Sequence, residues 1–228
     1  MKKIYLSKNA HPRLTAYLKE QGYRIHPVSG SGRVEGSIAS HPDLYLCKLG
    51  AAEDAPLFRG DPALPASPYP GDVRYNAACT GSFFIHNLNY TDPALLCRIR
   101  SLGIPEIHVR QGYTKCSLAV IDEKAVITSD KGITKALAPY GLDVLLIEKG
   151  HILLPGFDYG FIGGTCGRLG QEIVFNGNLA AHPDFRRITD FISARGLKTR
   201  YFPEYPLEDI GSILAADPES IQTEQERL

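Results

Sequence analysis

The chain has 228 residues, enough to bury a sizeable core, and residues 1–228 are read as one domain. Lys plus Arg equals Asp plus Glu at 25 each, so no net field recruits nucleic acid or an anionic membrane. The opening residues lack the apolar stretch of a signal peptide and no run nears the roughly 18 apolar residues that cross a bilayer, so the expected setting is cytoplasmic.

In chain order, four segments repeat one plan: a short apolar strand ending in Ser or Asn, a helix closed by Gly, and a second strand. The first is Lys3–Ser7, a helix from about Pro12 to Gln21, then Tyr23–Val28. The second is Phe83–Asn87, a helix Pro93–Ser101, then Ile104–Val109. The third is Ala125–Ser129, a helix Ile133–Pro139, then Leu142–Ile147. The fourth is Glu172–Asn176, a helix Pro183–Ala194, then Leu197–Phe202. Pro12, Pro93 and Pro183 suit a first helical turn, and Gly22, Gly103, Gly141 and Gly196 suit the left-handed residue that ends a helix.

A second kind of strand mixes apolar with polar residues and cysteines: His41–Leu49, Val73–Cys79, Lys115–Ile121, Asp158–Gly164 and Leu207–Leu214. Five such strands, each with an outer strand, fit a five-bladed α/β propeller closed by the first residues pairing with the last repeat. The alternative, a doubly wound sheet, needs parallel strands alternating singly with helices. Ala51–Gly71, with five prolines, replaces the helix of one repeat by a loop.

This pattern resembles the pentein, or guanidino-group-modifying enzyme, fold, and the small bacterial proteins of unknown function within it. The resemblance covers nearly the whole chain as repeats and is patchier as motifs. It implies a Cys nucleophile, a His in a His-x-Asp setting and carboxylates that grip a guanidinium, without a cofactor or metal. Gly112-Tyr-Thr-Lys-Cys116-Ser is similar to the strand bearing the family nucleophile, His41-Pro-Asp43 to the His-x-Asp element, and Asp158 lies where a carboxylate is often placed. The family nucleophile belongs to the last inner strand, where this chain has Ser212-Ile213.

The implied constellation is Cys116 as nucleophile, His41 as acid and base, and Asp43 and Asp158 as ligands of a small cationic guanidino compound. Asn76 and Asp209 are expected to line the same channel. From the residues alone, Cys116 is equally a buried apolar residue, and His41-Pro-Asp43 equally a turn. Cys166, in the glycine-rich stretch Gly160–Gly170, is expected in an exposed turn; that stretch lacks a nucleotide-loop pattern. With five cysteines and no Cys-x-x-Cys, free thiols are expected and a structural zinc is not. A catalytically silent binding protein of the same fold is the alternative function.

Overall fold

The computed structural model describes residues 2–34, 36–217 and 221–223. It is a mixed α/β protein of small sheets, five of them, each with three strands. Four share one strand order. Strand β1 (Lys3–Ser7) runs parallel to β2 (Arg24–Val28) through helix α1 (Pro12–Glu20), and antiparallel to β14 (Leu214–Ala216). Strands β6 (Phe84–His86) and β7 (Glu106–His108) are joined by α2 (Pro93–Ser101), with β5 (Ala78–Cys79) antiparallel. Strands β9 (Ala125–Thr128) and β10 (Asp143–Leu146) are joined by α4 (Lys131–Leu137), with β8 (Ala119–Val120) antiparallel. Strands β12 (Glu172–Phe175) and β13 (Lys198–Arg200) are joined by α5 (Phe185–Ser193), with β11 (Cys166–Leu169) antiparallel.

The remaining sheet pairs β3 (Leu46–Lys48) antiparallel with β4 (Leu57–Arg59). No helix follows β4; the proline-rich residues 60–72 take its place, and the parallel outer strand is β15 (Ile221–Thr223) from the other end of the chain. The four expected strand–helix–strand units are therefore present, with ends moved by no more than two residues.

The antiparallel strands depart from expectation. They are only two to four residues long, and each is preceded by a turn where a longer strand was expected. His41 stands outside a 3-10 turn over Pro42–Leu44, and Cys116 lies in a single helical turn, α3 (Thr114–Ser117). Asp158–Gly164 is not a strand, since its last residues enter a 3-10 turn over Ile162–Thr165. The reason is polar content: Asp43, Asn76 and Ser212 send side chains inward to one another, and Asn76 accepts the Lys115 and Cys116 N–H groups while Ser212 donates to the Gly163 carbonyl, backbone groups that a ladder would otherwise use.

Both faces of these sheets are buried. Ile173 and Phe175 join a core with Ala125 and Ile127, whereas Val174 between them joins another with Ile4 and Leu6. Tyr5 packs with Leu46 and Leu57. Phe58 and Cys47 pack with Cys79 and Phe84, and Ala78 and Ile85 with Val126. Each core is thus shared by two sheets, which makes the strands near-continuous apolar runs.

Helices α2 and α4 start at Asp92 and Asp130. Each carboxylate accepts two N–H groups of the first turn, Ala94 and Leu95 for Asp92, Gly132 and Ile133 for Asp130. Asp92 is buried and also accepts from the Tyr75 hydroxyl at 3.3 Å. Asp130→Ala is expected to cost about 1 kcal/mol and Asp92→Ala about 2 kcal/mol or more, because the buried Asp92 carboxylate also accepts from a buried tyrosine hydroxyl. Urea unfolding of both variants checks the order.

Candidate active site

Five chain segments converge where the antiparallel strands begin: residues 41–44 ahead of β3, Asn76 ahead of β5, 114–117 ahead of β8, 162–165 ahead of β11 and 209–213 ahead of β14. At their meeting point is Asp43, wholly buried. Its Oδ2 accepts from the Cys116 thiol at 3.1 Å and from the Ser212 hydroxyl at 2.7 Å, and its Oδ1 accepts from Asn76 Nδ2 at 2.9 Å.

Asn76 is fully used. Its Nδ2 also donates to Cys116 Sγ at 3.3 Å, and its Oδ1 accepts the backbone N–H groups of Lys115 and Cys116 at 2.9 and 3.2 Å. It fixes the thiol's turn relative to Asp43.

Lys115 Nζ donates to Ser212 Oγ at 2.9 Å and to the Gly163 carbonyl at 3.1 Å. The ammonium is therefore engaged by Ser212 and Gly163 while the neighbouring thiol engages Asp43. A Cβ on Gly163 would lie 2.3 Å from the carbonyl oxygens of Lys115 and Leu118, so only glycine permits this approach. Ser212 has φ of 77°, the one positive φ outside glycine among the described residues. Such a backbone costs about 1 kcal/mol or more, offset here by the hydroxyl's three polar neighbours.

His41 and Asp209 form a second pair. His41 Nδ1 lies 3.8 Å from Asp209 Oδ1, and both residues are buried. Asp209 also accepts the backbone N–H groups of Phe161 at 2.9 Å and Gly211 at 3.0 Å, tying the 158–161 loop to the turn before β14.

A cavity of about 250 Å³ opens over these groups, lined by His41, Cys116, Asp158 and Asp209 together with apolar and aromatic side chains. Of the six expected site residues, these four border one space. Asp43 and Asn76, expected on the channel wall, are instead buried among the groups that hold the thiol. Their hydrogen bonds go to protein partners, because a buried carboxylate and amide need near neighbours. Asp158 is exposed, at the cavity's edge. Cys166, expected in an exposed turn, is buried on β11. Lys115 and Ser212 were not expected to take part. The signals were a serine after a glycine, Gly211-Ser212, in the last mixed segment, and a lysine beside the cysteine whose turn is helical, so that strand alternation does not apply.

Burial pushes the Cys116 thiol well above its usual range, and the negative fields of Asp43 and Asp209 add to this. Burial raises Asp43 and lowers His41. The resting pair is therefore a neutral thiol facing a carboxylate that holds a proton more readily than usual, beside a neutral imidazole. Donor atoms of His41, Asp43 and Cys116 lie within 4.8 Å of one another, the one trio among the described residues with metal-ligating atoms so close. The donor set, one N, one O and one S, suits zinc once the thiol gives up its proton.

Asp209 is raised by burial to about 6. A carboxyl held above its unfolded value binds extra protons when folded, so its contribution to stability is present below about pH 4 and lost as pH rises through about 6. At about 1.4 kcal/mol per pH unit, the stability of Asp209→Asn relative to the parent should improve by about 3 kcal/mol between pH 4 and pH 7, read from urea midpoints at each pH. For the thiols, Cys97 is the one exposed cysteine. It should alkylate first in the native protein, while Cys116 stays slow until well above the free-thiol value of about 8.5, as peptide mass spectrometry would resolve.

No helix among the described residues is long and apolar enough to cross a membrane. Searches among curated proteins and among solved structures return no match. Residues 57–214 match the model of DUF6873, described as a family of unknown function. That span holds Asn76, Lys115, Cys116, Gly163, Asp209 and Ser212, and it exceeds half of the chain, which therefore belongs to the DUF6873 family.

Proposed function

We propose that this protein is a five-bladed α/β propeller of pentein type that hydrolyses a guanidino or amidino compound with Cys116 as nucleophile. The propeller reading draws on the shared strand order of four sheets and on the five cores. Taken in order, those cores link the sheet of β1 to that of β3, then to those of β6, β9 and β12, and back to β1, as blades around an axis would. Pairing of the first strand with Leu214–Ala216 is the ring closure such a fold requires.

The observation that carries the catalytic reading is Cys116 Sγ 3.1 Å from the Asp43 carboxylate, beside His41, in a cavity that also holds Asp158 and Asp209. The placement of the thiol in the third repeat and of Ser212 in the last separates them little in space: both donate to the same oxygen of Asp43. A bound cation reverses the local field. Carboxylates that hold the empty site's thiol protonated attract a guanidinium, whose charge then favours the thiolate.

Asp43 takes the thiol proton as sulfur attacks the amidine carbon. The carbon–nitrogen bond to the leaving amine breaks as that proton is returned to the amine, relayed by His41. Water, deprotonated by His41, then attacks the thiouronium carbon and releases the thiol with a ureido product. The test is a screen of alkylguanidines and amidines for amine or ammonia release. Cys116→Ala should remove turnover by about three orders of magnitude or more, and Asp43→Asn should lower it about 100-fold or more.

A second reading, a binding protein without catalysis, is favoured by the closed hydrogen-bond set around the resting thiol. It predicts equal affinity for a guanidinium in the parent and in Cys116→Ala, with no product from either.

A further inference from the structure

The lining of the cavity over Cys116 has a division of character that narrows the ligand. At its inner end are His41, Cys116 and Asp209, each no more than 3% exposed. The rest is Ile38, Leu154 and four aromatic rings, Tyr113, Phe157, Tyr159 and Phe161, with Asp158 at the edge. No lysine or arginine lines the cavity among the described residues. The near cation, Lys115, is engaged by Ser212 Oγ and the Gly163 carbonyl.

The rings are held in place. The Tyr113 hydroxyl donates to Asp72 at 2.6 Å, and Tyr69 of the proline-rich loop lies against the Tyr113 ring with centroids 5.6 Å apart. Tyr159 and Phe161 meet edge to face at 6.1 Å, and the Phe161 N–H is fixed by Asp209. Phe157 is 55% exposed, large for a phenylalanine, and borders the same cavity.

From this lining we infer that the ligand has a cationic head and an apolar, preferably aromatic, body, and carries no carboxylate. The inference rests on the guanidino reading of the same site and narrows its substrate class. A carboxylate on the ligand would leave water for a space bordered by Asp158 and Asp209 with no cation to receive it, which is strongly unfavourable. A cation gains from those carboxylates and from the ring faces. An aromatic body gains by covering the rings and removing apolar surface from water. The volume of about 250 Å³ admits a small molecule and not a folded peptide segment.

Calorimetric binding to Cys116→Ala, which cannot turn over, separates this inference from the catalytic one; the parent protein, titrated in parallel, covers the case in which that variant folds poorly. The probes are phenethylguanidine, methylguanidine, L-arginine and the neutral isostere phenethylurea. The expected result is phenethylguanidine at least tenfold tighter than each of the other three, with Phe157→Ser removing most of its advantage over methylguanidine. L-Arginine binding as tightly as phenethylguanidine would overturn the inference, as would equal binding of the urea. Tight, selective binding of phenethylguanidine with no product from the parent protein would leave the inference standing and end the hydrolase reading.

Discussion

A carboxylate with no access to water sets the terms for the rest of the site. Asp43 is surrounded by protein, and ionised or protonated it must find its partners there. Three side chains from three distant parts of the chain answer: Asn76, Cys116 and Ser212. The strained backbone of Ser212, the close approach of Gly163 and the turns that interrupt the antiparallel strands all follow from bringing those side chains to two oxygen atoms. The same constraint holds the proton on the thiol, since it is buried and donates to a carboxylate while the neighbouring Lys115 is engaged by Ser212 and Gly163.

The sheets make this convergence affordable. Each places alternate residues into two different cores, so very short strands are still held from both faces. Two ladder-paired residues, such as Ala78 and Cys79, are enough when each packs into a different core. The residues just ahead are then released from the ladder and can curl inward with polar side chains, as His41–Leu44 and Thr114–Ser117 do. The arrangement separates the apolar cores, built on the strands and helices, from the buried polar cluster, carried by the turns that lead into the sheets.

The units around the helices were legible because their signals are local. Pro93 opens α2 and Gly103 follows it with φ of 68°, and Gly141 takes φ of 70° after the turn that ends α4. The mixed segments read as strands in sequence because alternating apolar and polar residues also describe a turn whose polar side chains point inward. Cys166 illustrates the limit. Its glycine-rich surroundings imply an exposed turn, yet Gly167 lets the Ile213 carbonyl approach so closely that the strand is buried, with a Cβ there only 1.9 Å from that oxygen. A glycine needed for close approach is indistinguishable in sequence from one needed for a turn.

The sequence by itself determined the repeat, the four strand–helix–strand units and the lack of a helix in the proline-rich stretch Ala51–Gly71, because backbone propensity, helix ends and apolar periodicity act over a few residues; Cys116 and His41 stand out only through the family resemblance, and Asp209 only as a polar residue of the last repeat. Only the tertiary structure decided which of those residues share a cavity, that Asp43 and Asn76 stand among the groups holding the thiol, and that Lys115 turns to Ser212. Those outcomes depend on desolvation and on partners up to 169 positions apart, the separation of Asp43 and Ser212, and neither quantity is written in any local stretch of sequence.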